Sequence, residues 1–311
     1  MRTKNMSLLV FVLSLFFAVH SAAFAHPTYS KVVVFGDSLS DPGNAFALTG
    51  QFSKRPFSLI PDAPYARGGM HFSNGKTWVE LLAKDLQLPS GPAFRNPRNF
   101  SNYAIGGARA RSVTGADLTD QVGLYLSEHG GAADPNALYV ILIGGNDIRD
   151  AIVALQSDPS GATSGLIVQQ AVTSVAGNLQ SLAAAGAHYF LIGNAPNLAQ
   201  VPAVALQGEP LTTYAQQLSD GYNAGLQAAV AGVSSMFSLD VSHLDVYALL
   251  QSLETDPQQI GLTNVTDTCI HPGVIAHAVC SDTKDYLFWD GIHPTHTVHI
   301  FLANQALKAL H

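Results

Sequence analysis

VFGDSLSDPG, residues 34–43, is the stretch on which the reading of this chain turns. Lys31, Val32 and Val33 precede it, so an apolar, β-branched run from Lys31 to Phe35 ends at Gly36. Such a run reads as a buried strand. Past the glycine the chain turns through Asp37, Ser38 and Leu39. A strand that stops this way can hold a serine hydroxyl at the carboxyl edge of a sheet, which is where open α/β sheets bind ligands. A serine there acquires chemistry only when a base, an orienting acid and oxyanion donors come from elsewhere in the chain.

Outward from this stretch, strand-like and helix-like segments alternate. Ala137–Ile143 (ALYVILI) is a continuous apolar run closed by Gly144 and Gly145, the pattern of a strand buried on both faces. Short strands are predicted at 100–104, 189–192 and 237–241. Helices are predicted at 76–86, 121–128, 166–185, 212–231, 243–253 and 297–310. The alternation predicts an α/β fold with a mostly parallel sheet covered by helices on both faces. Residues 51–69 form a long proline- and glycine-rich segment that nevertheless carries Phe52, Phe57, Leu59, Ile60 and Tyr65. Loops of that length in a compact domain are commonly functional, so this one is expected to wall a cleft or to pack on the sheet edge. A second irregular stretch is expected over 255–283.

The first residues are not read as fold. Arg2 and Lys4 precede an apolar run at 8–19 broken only by Ser14, and Ala23-Phe24-Ala25 supplies a small-x-small cleavage pattern. Together these predict a secretory signal peptide over 1–25, cleaved after Ala25, and a single domain over 26–311. The run is shorter than the ~20 residues a membrane-spanning helix needs, so no stable transmembrane anchor is expected. The formal net charge is −7 with Lys and Arg at 15 and Asp and Glu at 22, which argues against a nucleic-acid partner. An apolar fraction of 47% against 12% charged residues allows a large core. The two cysteines, Cys269 and Cys280, read as a disulfide in an exported chain, with two buried free thiols as the alternative.

Four short blocks carry the chemistry. Gly36-Asp37-Ser38-Leu39 follows the first strand. Asn102-Tyr103-Ala104-Ile105-Gly106-Gly107-Ala108 overlaps the second. Gly144-Gly145-Asn146-Asp147 follows the third, and Asp290-Gly291-Ile292-His293-Pro294 precedes the last helix. In order and context they resemble the marker blocks of the GDSL lipase/esterase family, also called SGNH hydrolases, over nearly the whole chain after residue 25. Two further phrases, Phe72-Ser73-Asn74-Gly75-Lys76 and Tyr286-Leu287-Phe288-Trp289-Asp290, resemble the family's phospholipase/lecithinase/hemolysin-type branch.

The resemblance implies a flavodoxin-like three-layer α/β/α sandwich and a secreted or periplasmic serine ester hydrolase. It works on lipid or acyl esters through an acyl-enzyme, without cofactor or metal. Ser38 would be the nucleophile, His293 the base, and Asp290 the acid that orients the imidazole. The backbone N–H groups of Ser38 and Gly107 and the side-chain amide of Asn146 would form the oxyanion hole. Asp37 and Asp41 read as turn-stabilising, and Asn44 and Arg149 as bordering a cleft or lying on the surface. His296 and His299 read as helix-face residues. Within enzymes the alternative is a short-chain or carbohydrate acetyl esterase. Outside them it is a binding protein on an inactive hydrolase scaffold.

Overall fold

The computed structural model describes residues 28–311; the predicted signal peptide and its cleavage site lie outside them. Four parallel strands, β1 (Val32–Gly36), β2 (Leu138–Leu142), β3 (Tyr189–Gly193) and β4 (Asp240–Leu244), pair in that order. Every residue of β1 and β2 is buried, so both faces of the sheet are covered. Helices α3 (Leu118–Glu128), α4 (Gly145–Ala154), α5 (Ala162–Ala184) and α7 (Leu211–Phe237) pack on one another in one layer. Helices α2 (Trp78–Asp85) and α9 (His296–Ala309) pack together in another. This is the predicted α/β architecture.

Shorter pieces complete it: α1 (Asn44–Thr49), α6 (Pro202–Ala205), α8 (Val246–Thr255), and a separate parallel pair, β5 (Asn264–Thr268) with β6 (Tyr286–Phe288). β5 lies inside the stretch expected to be irregular.

Departures from the predicted boundaries have local causes. α2 starts at Trp78 because Thr77 caps it in a reciprocal box with Glu80. α7 continues to Phe237 and stops where Ser238 adopts φ 53°, which displaces β4 beyond the predicted 237–241. Asp245 then caps α8 by accepting the Ala248 N–H, so that helix cannot begin at 243.

The strand predicted at 100–104 is a correction. This segment runs beside β1 and exchanges backbone hydrogen bonds with it, through Val34 N–H to Ser101 O, Tyr103 N–H to Val34 O and Ile105 N–H to Gly36 O. It forms only an isolated bridge at Asn102. The ladder goes no further because the Gly36 N–H donates to Gln121 Oε1 instead of to this segment, while Asn102 Oδ1 accepts the N–H of Ala104.

Candidate active site

β1 ends at a glycine because space requires one: a Cβ on Gly36 would lie 2.5 Å from the Leu142 carbonyl of the neighbouring strand. Gln121 on α3 holds the Gly36 peptide from both sides, accepting its N–H and donating to its carbonyl, each at 2.9 Å. Ser38 follows two residues later, 9% exposed. The turn beyond it is tied down by two buried carboxylates. Asp37 accepts the Leu39 N–H. Asp41 accepts the N–H groups of Gly43, Asn44, Ala45 and Gly106. Burial pushes both carboxyls up to about 6, against the pull of these N–H donors. Asn44 neither borders the cleft nor lies on the surface; it is fully buried and donates to the carbonyls of Asn102 and Ala104.

Asp290 and His293 come from the loop between β6 and α9. Trp289 N–H bonds to the His293 carbonyl at 2.8 Å and closes that loop. His293 Nδ1 lies 2.8 Å from Asp290 Oδ2, and Nε2 lies 2.8 Å from Ser38 Oγ. A carboxylate can only accept, so Nδ1 carries the proton and Nε2 is left to accept from the serine hydroxyl. Asp290 is fully buried, and its Oδ1 accepts the N–H groups of Ile292 and His293. The three side chains thus form one chain of hydrogen bonds from β1 to the β6–α9 loop.

The two glycines of the Asn102 block differ. A Cβ on Gly106 would run into the Phe72 ring at 2.0 Å, and the Gly106 N–H is spent on Asp41. Gly107 sits at φ 84° with open space where a Cβ would be. Neither its N–H nor that of Ser38 donates to a protein acceptor among the described residues. Asn146, in the first turn of α4, gives one amide hydrogen to the Ala108 carbonyl, leaving the second available. Asp147 beside it accepts from Ala110 and Arg111 and joins α4 to the same loop; burial pushes its carboxyl up to about 6.

Ser38, Gly107, Asn146 and His293 line one cleft of about 510 Å³. Its far wall is apolar, with Ile152, Val153, Leu198, Val201 and Val204. Arg149 also lines it, one helical turn from Asn146, and makes no hydrogen bond or ion pair with protein among the described residues. Burial lowers its guanidinium pKa.

Several further residues support the site in ways that the sequence did not specify. Phe72 packs on the His293 ring at 5.4 Å between centroids. Tyr65, from the proline-rich segment, donates its hydroxyl to Asp290 Oδ2 at 2.9 Å. His71, next to Phe72 in the chain, forms a buried pair with Glu80 at 2.7 Å. The Phe72–Lys76 phrase clamps the chain after His293: Ser73 Oγ donates to the Pro294 carbonyl and Asn74 Oδ1 accepts the His296 N–H. His299 lies on the inward face of α9. It is buried, accepts the Trp78 N–H on Nδ1, and is driven by burial down to about 3, so it stays neutral. Cys269 and Cys280 form the predicted disulfide.

A profile of the GDSL-like lipase/acylhydrolase family matches residues 32–306. Among curated proteins, an Arabidopsis thaliana GDSL esterase/lipase is 25% identical over 95% of this chain and 94% of its own length. The thermolabile hemolysin of Vibrio parahaemolyticus is 25% identical over 93% of this chain and 66% of its own. Esterase EstA of Pseudomonas aeruginosa is 29% identical over 91% of this chain, which spans only 47% of that protein. With residues 32–306 covered by that profile, the chain belongs to the GDSL-like lipase/acylhydrolase family of ester hydrolases.

Proposed function

We propose that this chain is an exported serine ester hydrolase that cleaves acyl or lipid esters through an acyl-enzyme. The observation that carries the reading is the unbroken run Ser38 Oγ–His293–Asp290, with links of 2.8 and 2.8 Å, at the mouth of a cleft with unspent N–H donors. Ser38 Oγ attacks the ester carbonyl while His293 Nε2 takes its proton. The carbonyl oxygen gains the negative charge and meets the N–H groups of Ser38 and Gly107 and the free amide hydrogen of Asn146. The carbon–oxygen bond to the leaving alcohol then breaks, and the imidazolium returns its proton to that alcohol. Water, deprotonated by the same imidazole, releases the acid and regenerates the serine. Asp290 holds the tautomer and stabilises the imidazolium.

The apolar wall suits an acyl chain. The unpaired Arg149 guanidinium supports an ester with an anionic head group, such as a lysophospholipid or phospholipid. Export after cleavage at Ala25 and a single domain over 26–311 belong to the same reading. A disulfide persists in oxidising compartments, and among the described residues no helix is long and apolar enough to cross a membrane.

A rate panel tests the reading. Soluble esters of increasing acyl length and a lysophospholipid are assayed with wild type and Ser38→Ala. The expected result is turnover that rises beyond acetyl, favours the lysophospholipid over neutral esters of equal chain length, and vanishes in the variant. A preference confined to acetyl esters would move the substrate to short-chain or carbohydrate acetates. Full activity in a folded Ser38→Ala protein would overturn the mechanism.

A further inference from the structure

Residues 51–69, expected either to wall the cleft or to pack on the sheet edge, do wall the cleft, through Ile60, Pro61 and Asp62. They also grip the acid–base loop at two adjacent residues. The Gly291 N–H donates to the Leu59 carbonyl at 2.7 Å, and a Cβ on Gly291 would lie 2.6 Å from that oxygen. Six residues on, the Tyr65 hydroxyl donates to Asp290 Oδ2 at 2.9 Å, with both side chains buried.

We propose that Tyr65 is a positioning residue for catalysis, setting the plane of the Asp290 carboxylate so that Oδ2 meets His293 Nδ1. This rests on the reading of Asp290 as the acid of the triad. The carboxylate has one rotation to fix. Its Oδ1 is held by the backbone N–H groups of Ile292 and His293. Without Tyr65, Oδ2 would have no donor besides the imidazole itself. Burial and the Asp290 charge both hold the Tyr65 phenol far above its ordinary range, so it remains a donor throughout the working pH range.

Tyr65 is itself fixed from several directions. Its N–H donates to the His71 carbonyl, and its own carbonyl accepts from Met70. Its ring meets Phe57 and Trp289 edge-on, each at 5.5 Å between centroids. That aromatic group packs with Cys269, Ile270 and Cys280 in a cluster separate from the main core.

A purely structural tyrosine would act through its ring alone, and phenylalanine keeps the ring. The test is therefore Tyr65→Phe, read by steady-state kinetics on a soluble acyl ester across pH and by thermal melting. A hydrogen bond to a charged group of this kind predicts a loss of roughly tenfold to hundredfold in kcat. KM should stay within about twofold, since the contact is felt by the imidazolium that forms only in the transition state. The acidic limb of the kcat/KM profile should move to higher pH, because a carboxylate relieved of one donor favours the protonated imidazole more strongly. The protein should stay folded, with melting lowered by no more than several degrees. Asp290→Asn alone and combined with Tyr65→Phe separates this proposal from the reading beneath it. If Asp290→Asn is slow and Tyr65→Phe adds nothing to it, both stand. If Asp290→Asn is slow but Tyr65→Phe retains wild-type kcat and pH profile, the tyrosine is structural and the proposal is overturned. If Asp290→Asn itself retains wild-type rates, the triad assignment fails first.

Discussion

The two halves of the candidate site are built differently. Ser38, Gly107 and Asn146 stand beside the carboxyl ends of β1 and β2. β1 and β2 are buried throughout and belong to the main hydrophobic core, and Gly36 is pinned between Gln121 and Leu142. Asp290 and His293 instead follow a three-residue strand, β6, next to a small cluster that contains the disulfide. Regular secondary structure positions the first half. The second half is held by tethers from remote segments: Leu59 and Tyr65, Ser73 and Asn74, and the hairpin of Cys269–Cys280, whose Ile270 N–H bonds to the Trp289 carbonyl beside Asp290. A loop can thus reach the precision of a strand edge when many weak restraints converge on it. Catalytic geometry demands such precision, because a misplacement of ~1 Å can cost ~10²-fold in rate.

That contrast can be broken on either side. The largest effect belongs to the half proposed to carry the nucleophile. On the proposed mechanism Ser38→Ala should cut kcat by ~10⁴-fold or more with an unchanged melting temperature, since removing a triad member leaves only binding and the oxyanion hole. Asn146→Ala should follow, with a loss of ~10²–10³-fold in kcat and little change in KM, because its spare amide hydrogen meets charge present only in the transition state. A rise in KM alone would contradict that role.

The base half should respond with smaller rate changes tied to stability. Reducing Cys269–Cys280, or replacing both residues with alanine, removes a loop constraint that contributes about 2.5–3 kcal/mol in the entropy model. Activity should fall before global melting does, as seen by following rate and circular dichroism together through a temperature ramp. Equal or higher activity in the reduced protein would make the hairpin a peripheral flap.

The smallest effect lies at the buried pair His71–Glu80, which joins the residue before Phe72 to the first turn of α2. Burial alone would lower the histidine, but the Glu80 hydrogen bond and charge outweigh it and raise His71 above its ordinary 6.5. Burial likewise opposes Glu80, yet the His71 bond and charge hold it below its ordinary 4.5. The histidine's contribution to stability is complete below 6.5 and is lost as pH rises through its higher folded value. The glutamate's is complete above 4.5 and is lost as pH falls through its lower one. Glu80→Gln keeps the capping geometry of α2 while removing the charge. The melting-temperature gap between wild type and this variant should be widest between about pH 4.5 and 6.5 and narrow on either side. A gap independent of pH would show that the pair contributes as neutral groups.

Much of this was legible along the chain and some was not. Strands β1 and β2 announced themselves because burial on both faces leaves a continuous apolar run. The 100–104 segment, Phe-Ser-Asn-Tyr-Ala, lies beside β1 without extending the ladder, because Gln121 from α3 takes the Gly36 N–H, a contact that periodicity does not register. α4 was missed as a helix because its first residues, Gly144 to Asp147, read as a turn. The boundaries of α2 and α8 moved with their caps, Thr77 and Asp245. Tyr65 passed for one more apolar residue in an irregular loop, since its role depends on a partner 225 positions away.

By itself the sequence determined the strand that delivers Ser38, the short Asp290–His293 spacing that lets both side chains share one loop, and the single pairing open to its two cysteines. Each follows from local pattern or from counting. The tertiary structure alone decided which of two adjacent glycines keeps an unspent N–H, which aromatic residue reaches the buried acid, and that Asn44 lies inside while Arg149 faces the cleft. Gly106 and Gly107 are identical to any local rule. They differ because Asp41 and Phe72, brought in from elsewhere, occupy the first and leave the second open. Such outcomes depend on which distant segments meet, and only the packed chain contains that information.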